Sequence, residues 1–194
     1  MGTRHLTIVK KNEEIKVAQY GQWDGYPSGT GFNILEFLTE EGNLTRLDSK
    51  IHLCKAIGEA SEDFRIVALE EHPEWFSRDT GSDILGVIAN TRTPVYLSID
   101  LQFGGDIIFC EWAWVIDLDE RKLDAYSGPI TTGIETSEDG DPQLITEIVS
   151  GDQGIFSRLN RDQTVTRIVS IDLDDLPDQD TFLALFDDKT SKRE

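Results

Sequence analysis

The first thirty-one residues constrain the fold of this 194-residue chain more than any other segment. Residues 3–9 and residues 16–20 have the composition of two paired β-strands. Residues 21–31 follow, and they place five glycine or proline positions and two aromatic residues in one loop that enters a helix. Loops of this composition form sites more often than plain connections. The sequence therefore predicts an N-terminal hairpin whose following loop is a candidate site.

Composition is that of a globular chain, and its length favours one domain. Hydrophobic residues make up 38% of the chain, and no run approaches the roughly 18 apolar residues that span a bilayer. The N-terminus has no apolar signal-peptide core, and Leu6 occupies the Ser/Thr position of a myristoylation motif. Cys54 and Cys110 lie in apolar patterns, which predicts buried, reduced thiols. We expect a cytoplasmic protein that does not bind membranes.

The net charge of −19 is distributed unevenly along the chain. Residues 1–60 carry seven Lys or Arg and eight Asp or Glu, whereas residues 61–194 carry eleven and twenty-nine. Such a negative field repels nucleic acid and favours basic partners. The charge therefore predicts no direct nucleic-acid binding. It is compatible with a simple solvated surface or with a protein that docks on a basic, nucleic-acid-binding surface of a partner.

The order of elements favours the α+β class. Helices are predicted at 32–38, from Asn43 towards Gly58, and from Asp79 or Thr80 to Asn90, while residues 64–69 fit either a helix or a strand. A hairpin at 107–126, a strand at 164–171 and a closing helix at 182–186 follow. Residues 128–141 read as a long acidic loop. We expect a single α+β domain over residues 1–186 and a loose tail over residues 187–194.

In the 107–126 hairpin, alternate residues share one predicted face. They are Cys110, Trp112, Trp114, Ile116 and Leu118.

The strongest candidate site lies in the 21–31 loop. Trp23 and Tyr26 supply stacking surface, and Gln22 and Asp24 supply directional hydrogen bonds. The same residues also suit a tight loop whose rings pin it to the core. Gly29 and Gly31 precede a helix, where N–H groups could hold an anion, although a turn with a helix cap explains them equally well.

Other polar clusters carry weaker predictions. His5 alternates with Thr7 as strand residues do, which favours a structural role. His52, Cys54 and His72 lack zinc-ligand spacing. The aspartates between Asp172 and Asp180 lack the glycine and terminal glutamate of a calcium loop. No cofactor or metal is expected.

Two resemblances add to these predictions. Residues 2–6 (GTRHL) and 19–27 (QYGQWDGYP) resemble a family of uncharacterised proteins from bacteria and their phages, and residues 78–81 (RDTG) and 114–119 look like further parts of its motif. That family implies no activity.

The N-terminal hairpin also resembles the start of N-terminal-nucleophile hydrolases. This resemblance implies a four-layer αββα sandwich and, after cleavage behind Gly2, a Thr3 nucleophile that uses its own amine as the base. Arg4 or Lys16 would then lower the pKa of that amine or steady the oxyanion.

Two functional hypotheses follow from the sequence. In the first, the loop containing Gln22, Trp23, Asp24 and Tyr26 binds a small polar or anionic ligand, with hydrolysis of that ligand as an open extension. In the second, the chain is an acidic inhibitor or adaptor of the phage type that docks on a basic protein partner. The oligomeric state is left open.

Overall fold

The structure, a computed structural model, describes residues 2–106, 109–128, 130–136, 142–147, 152–159 and 164–190. The strands are β1 (His5–Lys11), β2 (Glu14–Gly21), β3 (Cys54–Ala56), β4 (Val95–Leu97), β5 (Trp112–Asp117), β6 (Lys122–Ser127), β7 (Ile130–Thr136), β8 (Pro142–Glu147) and β9 (Thr166–Asp172). The helices are α1 (Phe32–Thr39), α2 (Asn43–Lys50), α3 (Glu62–Glu71), α4 (Ile84–Asn90) and α5 (Gln179–Thr190). Helices and a mixed sheet in one chain confirm the α+β class.

A mixed five-stranded sheet in the order β2-β1-β5-β6-β9 organises the fold. β1 pairs antiparallel with β2, as the sequence predicted, and parallel with β5. The chain between β1–β2 and β5 carries α1 to α4. Because β1 is an interior strand, residues 5–9 are all buried, with alternate side chains on opposite faces of the sheet.

Each face of the sheet has its own hydrophobic core. On one face the sheet packs against helices, and this cluster contains Trp112, Trp114, Ile34, Leu85 and Phe182. The indoles of Trp112 and Trp114 stack with their centroids 5.8 Å apart. Phe182 of α5 lies 6.0 Å from the Trp114 ring, so the C-terminal helix closes over the centre of the sheet.

The opposite face is covered by irregular segments and short helical turns. Leu6 and Ile8 of β1 pack there with Tyr126 of β6 and with Phe156 of the turn Gly154–Arg158. Sequence periodicity does not reveal this cover, because a turn of five residues is too short to show a period.

The structure corrects several details of the β-rich half. Residues 128–141, predicted as a loop, include strand β7, which pairs antiparallel with β8; residues 129 and 137–141 of that loop lie outside the described residues. Cys110 belongs to the core on the opposite face from Trp112 and Trp114, because it precedes β5 and does not follow the alternation of that strand. The predicted hairpin is confirmed from Trp112 onward as β5 and β6; residues 109–111 precede the strand, and residues 107 and 108 lie outside the described residues.

The four-layer αββα arrangement requires two large sheets packed face to face. In the described part of the chain, one five-stranded sheet accompanies two two-stranded sheets, β3–β4 and β7–β8. One face of the larger sheet is covered by helices and the other by irregular segments and short turns. The described residues therefore do not form the αββα arrangement. Helix α5 continues through Thr190, beyond the expected start of the tail at residue 187.

Several helix boundaries in the first half differ from the predictions, and α4 begins at Ile84, after a short turn, and not directly after Asp79 or Thr80. Helix α2 ends at Lys50, and the chain continues through a short turn into β3, which pairs with β4. Gly42, with φ +79°, caps α2, while the Asn43 side chain donates to the Phe37 carbonyl at 2.9 Å. The ambiguous segment 64–69 is helical, and Ser61 caps its helix by accepting from the Phe64 N–H.

Candidate functional site

The loop after β2 is held in place by backbone hydrogen bonds to its surroundings. The Gly25 N–H donates to the Thr3 carbonyl at 2.9 Å, and the Thr30 N–H donates to the Asp24 carbonyl at 2.7 Å. The buried indole N–H of Trp114 donates to the Gly25 carbonyl at 2.9 Å. The loop is therefore anchored from the central strand β5, across the helix-side core.

Three exposed side chains of the loop, those of Trp23, Asp24 and Tyr26, are engaged in hydrogen bonds. Trp23 is 50% exposed, and its indole N–H donates to Asp79 Oδ1 at 2.8 Å. The Tyr26 hydroxyl donates to Asp24 Oδ1 at 3.0 Å, and this hydrogen bond is the main cause that raises the pKa of Tyr26. Asp24 itself has φ +50°, a left-handed conformation that few residues other than glycine adopt.

A second segment, residues 77–81, closes against this loop. The Gln22 N–H donates to the Arg78 carbonyl at 2.9 Å, and the Gln19 side chain donates to the Ser77 carbonyl at 3.3 Å. The Trp23–Asp79 hydrogen bond is a third link. Two motifs that are fifty residues apart in the sequence thus form one unit, which we call the QWDGY–RDTG unit (residues 22–26 and 78–81).

His5 lies beneath this unit, enclosed by glycines. It is 3% exposed, and its ring is close to the α-carbons of Gly21, Gly25 and Gly81. A methyl group added at Gly21 would lie 2.2 Å from His5 Cε1. Gly81 has φ +47°, so its conformation also favours glycine. The glycines therefore let three chain segments close around one imidazole.

Burial determines the charge state of His5. Desolvation is the largest effect and lowers the pKa of His5 to about 4, while the backbone carbonyls of Thr3 and Trp23 and the charge of Asp24 oppose it in part. The ring is accordingly neutral at pH 7. Its Nε2 lies 3.4 Å from the buried Thr30 hydroxyl.

The N–H groups that were considered for anion binding are used within the loop. Those of Gly29 and Gly31 donate to the Tyr26 carbonyl, and that of Thr30 donates to Asp24. A methyl group at Gly31 would lie 2.7 Å from the Trp114 ring. These contacts agree with the turn-and-cap alternative, in which the glycines permit close packing.

The structure does not bring Thr3, Arg4 and Lys16 together. Thr3 and Arg4 precede β1, and the Arg4 guanidinium lies over the Phe109 ring at 4.4 Å. Lys16 lies near the other end of the hairpin, next to the Val9–Val17 pair, and its ammonium contacts Glu14. Thr3 and Val9 are six positions apart along extended chain, which corresponds to roughly 20 Å.

A groove of about 540 Å³ opens beside the QWDGY–RDTG unit, along the edge of the sheet where β2 ends. The Asp100 N–H donates to the Ala18 carbonyl and holds the far wall against β2. The groove is lined by Gln19, Tyr20, Trp75, Phe76, Ser77, Arg78, Ser98, Ile99, Asp100, Gln102 and Phe103. We call it the edge groove.

The edge groove is lined by aromatic and by charged residues. The rings of Tyr20 and Phe103 meet edge to face at 5.0 Å, and the Tyr20 hydroxyl donates to Gln22 Oε1 at 2.6 Å. Burial raises the pKa of Asp100. The Arg78 side chain is exposed at the rim, and its charge acts against the burial that raises the pKa of Tyr20. Asp100 and Arg78 therefore line the same cavity as an aromatic wall.

The sequence predicted the loop that adjoins the edge groove, but it did not predict the groove itself. Of the predicted residues, Gln22 contacts it through Tyr20, whereas Trp23, Asp24 and Tyr26 belong to the adjoining loop. Asp100 and Phe103 lie about eighty residues further along the chain, and no local motif marks them. Arg78 carried a signal only as part of the RDTG motif.

The remaining polar candidates have structural partners. Cys54 and Cys110 are buried, and burial raises the pKa of both thiols. Asp172 and Asp174 pair with Lys122 and Arg121, and Asp178 accepts from the Thr181 N–H at the start of α5. Within the described residues, no group of three or more His, Cys, Asp or Glu is arranged to hold a metal ion. No described helix has the length and apolar character needed to cross a membrane.

Comparison of the chain with known protein families, with curated proteins and with solved structures found no match. The two resemblances noted in the sequence therefore stay predictions. Functional inference depends on the geometry of the QWDGY–RDTG unit and the edge groove.

Proposed function

We propose that the protein binds a small polar molecule in the edge groove, with Arg78 of the QWDGY–RDTG unit lining one side. The observation that carries this proposal is the placement of Asp100 in a groove of about 540 Å³ together with Arg78. Carboxyl groups with a perturbed pKa in a cleft are enriched at functional sites. The volume lies in the range that is typical of ligand pockets.

The lining defines the chemistry of the ligand. The Arg78 guanidinium suits a carboxylate or a phosphate, and the Asp100 carboxylate accepts hydrogen bonds from an amine or a hydroxyl. Tyr20, Ile99 and Phe103 offer an apolar wall for a flat or aliphatic part. A small metabolite that carries both an anionic group and a hydrogen-bond donor meets all three requirements.

The loop predicted from sequence has a supporting role in this proposal. Because Trp23 and Tyr26 hydrogen-bond to Asp79 and Asp24, their polar atoms are engaged before any ligand arrives. The Gln22–Tyr20 contact joins the loop to the groove wall. The ligand is therefore expected to contact Tyr20 and Arg78, with the loop holding them in place.

A thermal-shift screen of anionic and zwitterionic metabolites tests the proposal. Compounds that raise the melting temperature of the wild type should lose their effect in Arg78→Gln and Asp100→Asn. Arg92→Gln is the matched control, since Arg92 is an exposed arginine that is not among the lining residues of the groove. The Arg78 carbonyl that bonds to Gln22 is retained in Arg78→Gln, so the loop keeps this contact.

Two results would refute the edge groove as the site. One is a screen in which no compound stabilises the wild type, and the other is stabilisation that is unchanged in both groove variants. Mass spectrometry of each hit after incubation shows whether the ligand is also hydrolysed.

A further inference from the structure

Helix α3 presents apolar side chains to solvent. Of its ten residues, Ala68 is buried, whereas Phe64, Ile66, Val67 and Leu69 are between 38% and 54% exposed. A surface helix ordinarily places its apolar stripe on the core and polar residues outside. The apolar residues of α3 are too many for the one side that faces the core.

The positions of these residues divide them between two sides of the helix. Phe64 and Val67 are three residues apart and border a cleft of about 250 Å³, where the Phe64 ring lies 4.6 Å from the Tyr96 ring. Ile66 and Leu69 are also three residues apart, on the more exposed side. The ten-residue helix spans about 15 Å.

The floor of the cleft is aromatic and continuous with the helix. Trp75 is 5% exposed and stacks on the His72 ring with the centroids 3.9 Å apart. Pro94 and Tyr96 complete the opposite wall. The helix and the cleft together form one apolar surface, which we call the α3 surface (residues 64–75 with 93–96).

Acidic side chains surround the α3 surface. The helix itself and the turn after it carry five carboxylates and one basic residue, Arg65; the carboxylates are Glu62, Asp63, Glu70, Glu71 and Glu74. All five are exposed. A second copy of this chain would place carboxylates against carboxylates, and an anionic lipid surface would be repelled in the same way. The charge pattern therefore favours a basic partner.

We propose that the α3 surface is a docking site for a basic amphipathic segment of another protein. Apolar side chains of that segment would cover Ile66 and Leu69 and enter the cleft beside Phe64 and Tyr96, while flanking Lys or Arg residues face the acidic rim. Exposed apolar patches with a polar rim are typical of protein interaction sites. Complementary charge would speed association and select the partner. The edge groove is not part of this proposal, although Trp75 contacts both cavities.

The test uses a defined peptide probe with the full-length protein. An amphipathic Leu/Lys helix of roughly 18 residues is titrated by calorimetry, with a Leu/Glu helix and a sequence-scrambled Leu/Lys peptide as comparisons. Ile66→Ser with Leu69→Ser removes the outer apolar contacts at positions that are exposed, so the core is unaffected. Leu185→Ser is the matched control, because Leu185 is an exposed leucine of a different helix, α5.

We expect the Leu/Lys helix to bind and the Leu/Glu helix not to bind. The double serine variant should weaken binding by at least about tenfold, which corresponds to the loss of one buried aliphatic side chain. Raising the salt from about 50 mM to about 300 mM should weaken binding further, since the rim charges are exposed. Leu185→Ser should leave the affinity unchanged.

Three results would overturn the proposal. The first is equal affinity for the Leu/Lys, Leu/Glu and scrambled peptides, and the second is unchanged binding in the double serine variant. The third is a dimer in sedimentation velocity that the double serine variant abolishes, because that result would assign the α3 surface to a second copy of the chain. The thermal-shift screen of anionic and zwitterionic metabolites is repeated on the same variants, so loss of peptide binding is distinguished from loss of binding in the edge groove.

Discussion

Replacing Gly21 by alanine tests the closed packing around His5. The new methyl group would lie 2.2 Å from Cε1 and 2.3 Å from Nε2 of His5. The imidazole cannot move aside freely, because Gly25 and Gly81 approach it from other directions and the ring is 3% exposed. Gly21→Ala therefore forces a displacement of either the ring or strand β2.

The magnitude follows from two opposing effects. Overpacking of a buried site costs about 1–3 kcal/mol, and contacts this short with two ring atoms place Gly21→Ala at the upper end. Alanine also restricts the backbone of the unfolded chain, which stabilises the folded protein by about 0.4–1 kcal/mol. We expect the free energy of unfolding to fall by about 2 kcal/mol, which lowers the melting temperature by about 4–8 °C in a chain of this size.

Urea unfolding followed by tryptophan fluorescence measures this change, and two further variants isolate its cause. Gly86→Ala is the matched control: apart from its chain neighbours and the nearby backbone of its own helix α4, no atom lies within 4 Å of the added methyl group. That variant should be stabilised by up to about 1 kcal/mol. In a His5→Ala background, Gly21→Ala should cost nothing, because the clashing ring is gone.

A Gly21→Ala variant as stable as the wild type would refute close packing of Gly21 against His5. Loss of the same free energy of unfolding with and without the His5 ring would refute it too, since the loss would then arise from the backbone.

Three further predictions concern buried polar groups. Trp114→Phe removes the hydrogen bond to the Gly25 carbonyl and leaves a smaller ring in the core. Urea titrations should show a free energy of unfolding lowered by about 2–4 kcal/mol. A loss below about 1 kcal/mol would contradict the role of Trp114 in anchoring the loop. The pKa of His5 is lowered to about 4 in the folded protein, so as the pH falls the unfolded chain binds a proton on this residue first. The free energy of unfolding should therefore be at its full value above about pH 6.5. It should fall by about 3 kcal/mol as the pH drops to about 4. His5→Gln should remove this part of the pH dependence, and an unchanged slope would argue against a buried neutral imidazole. Cys54 and Cys110 should resist a thiol-reactive disulfide reagent at pH 8 in the native protein and react after denaturation, because burial raises the pKa of both thiols; fast native labelling would contradict their burial.

The short-range order of the chain was predictable from its residues. The N-terminal hairpin, the helix after the glycine-rich loop and the 107–126 hairpin were all expected, since each depends on patterns within about twenty residues. Boundaries that depend on distant partners were wrong. Residues 54–56 continue the apolar pattern of α2, yet they form β3 because β4, forty residues away, offers a strand to pair with.

For the candidate site, the sequence by itself predicted the QWDGY loop, through its density of glycine, aromatic and polar residues, and marked the RDTG segment only as part of a resemblance. The tertiary structure decided which contacts these residues make. Parallel pairing of β1 with β5 places the Trp114 indole under Gly25, and the packing of residues 77–81 on the loop engages the polar atoms of Trp23 and Gln22. The edge groove arises where Tyr20, Arg78 and Asp100 meet. Such a meeting of distant residues has no signal in local composition, because it depends on how the whole sheet is ordered and covered.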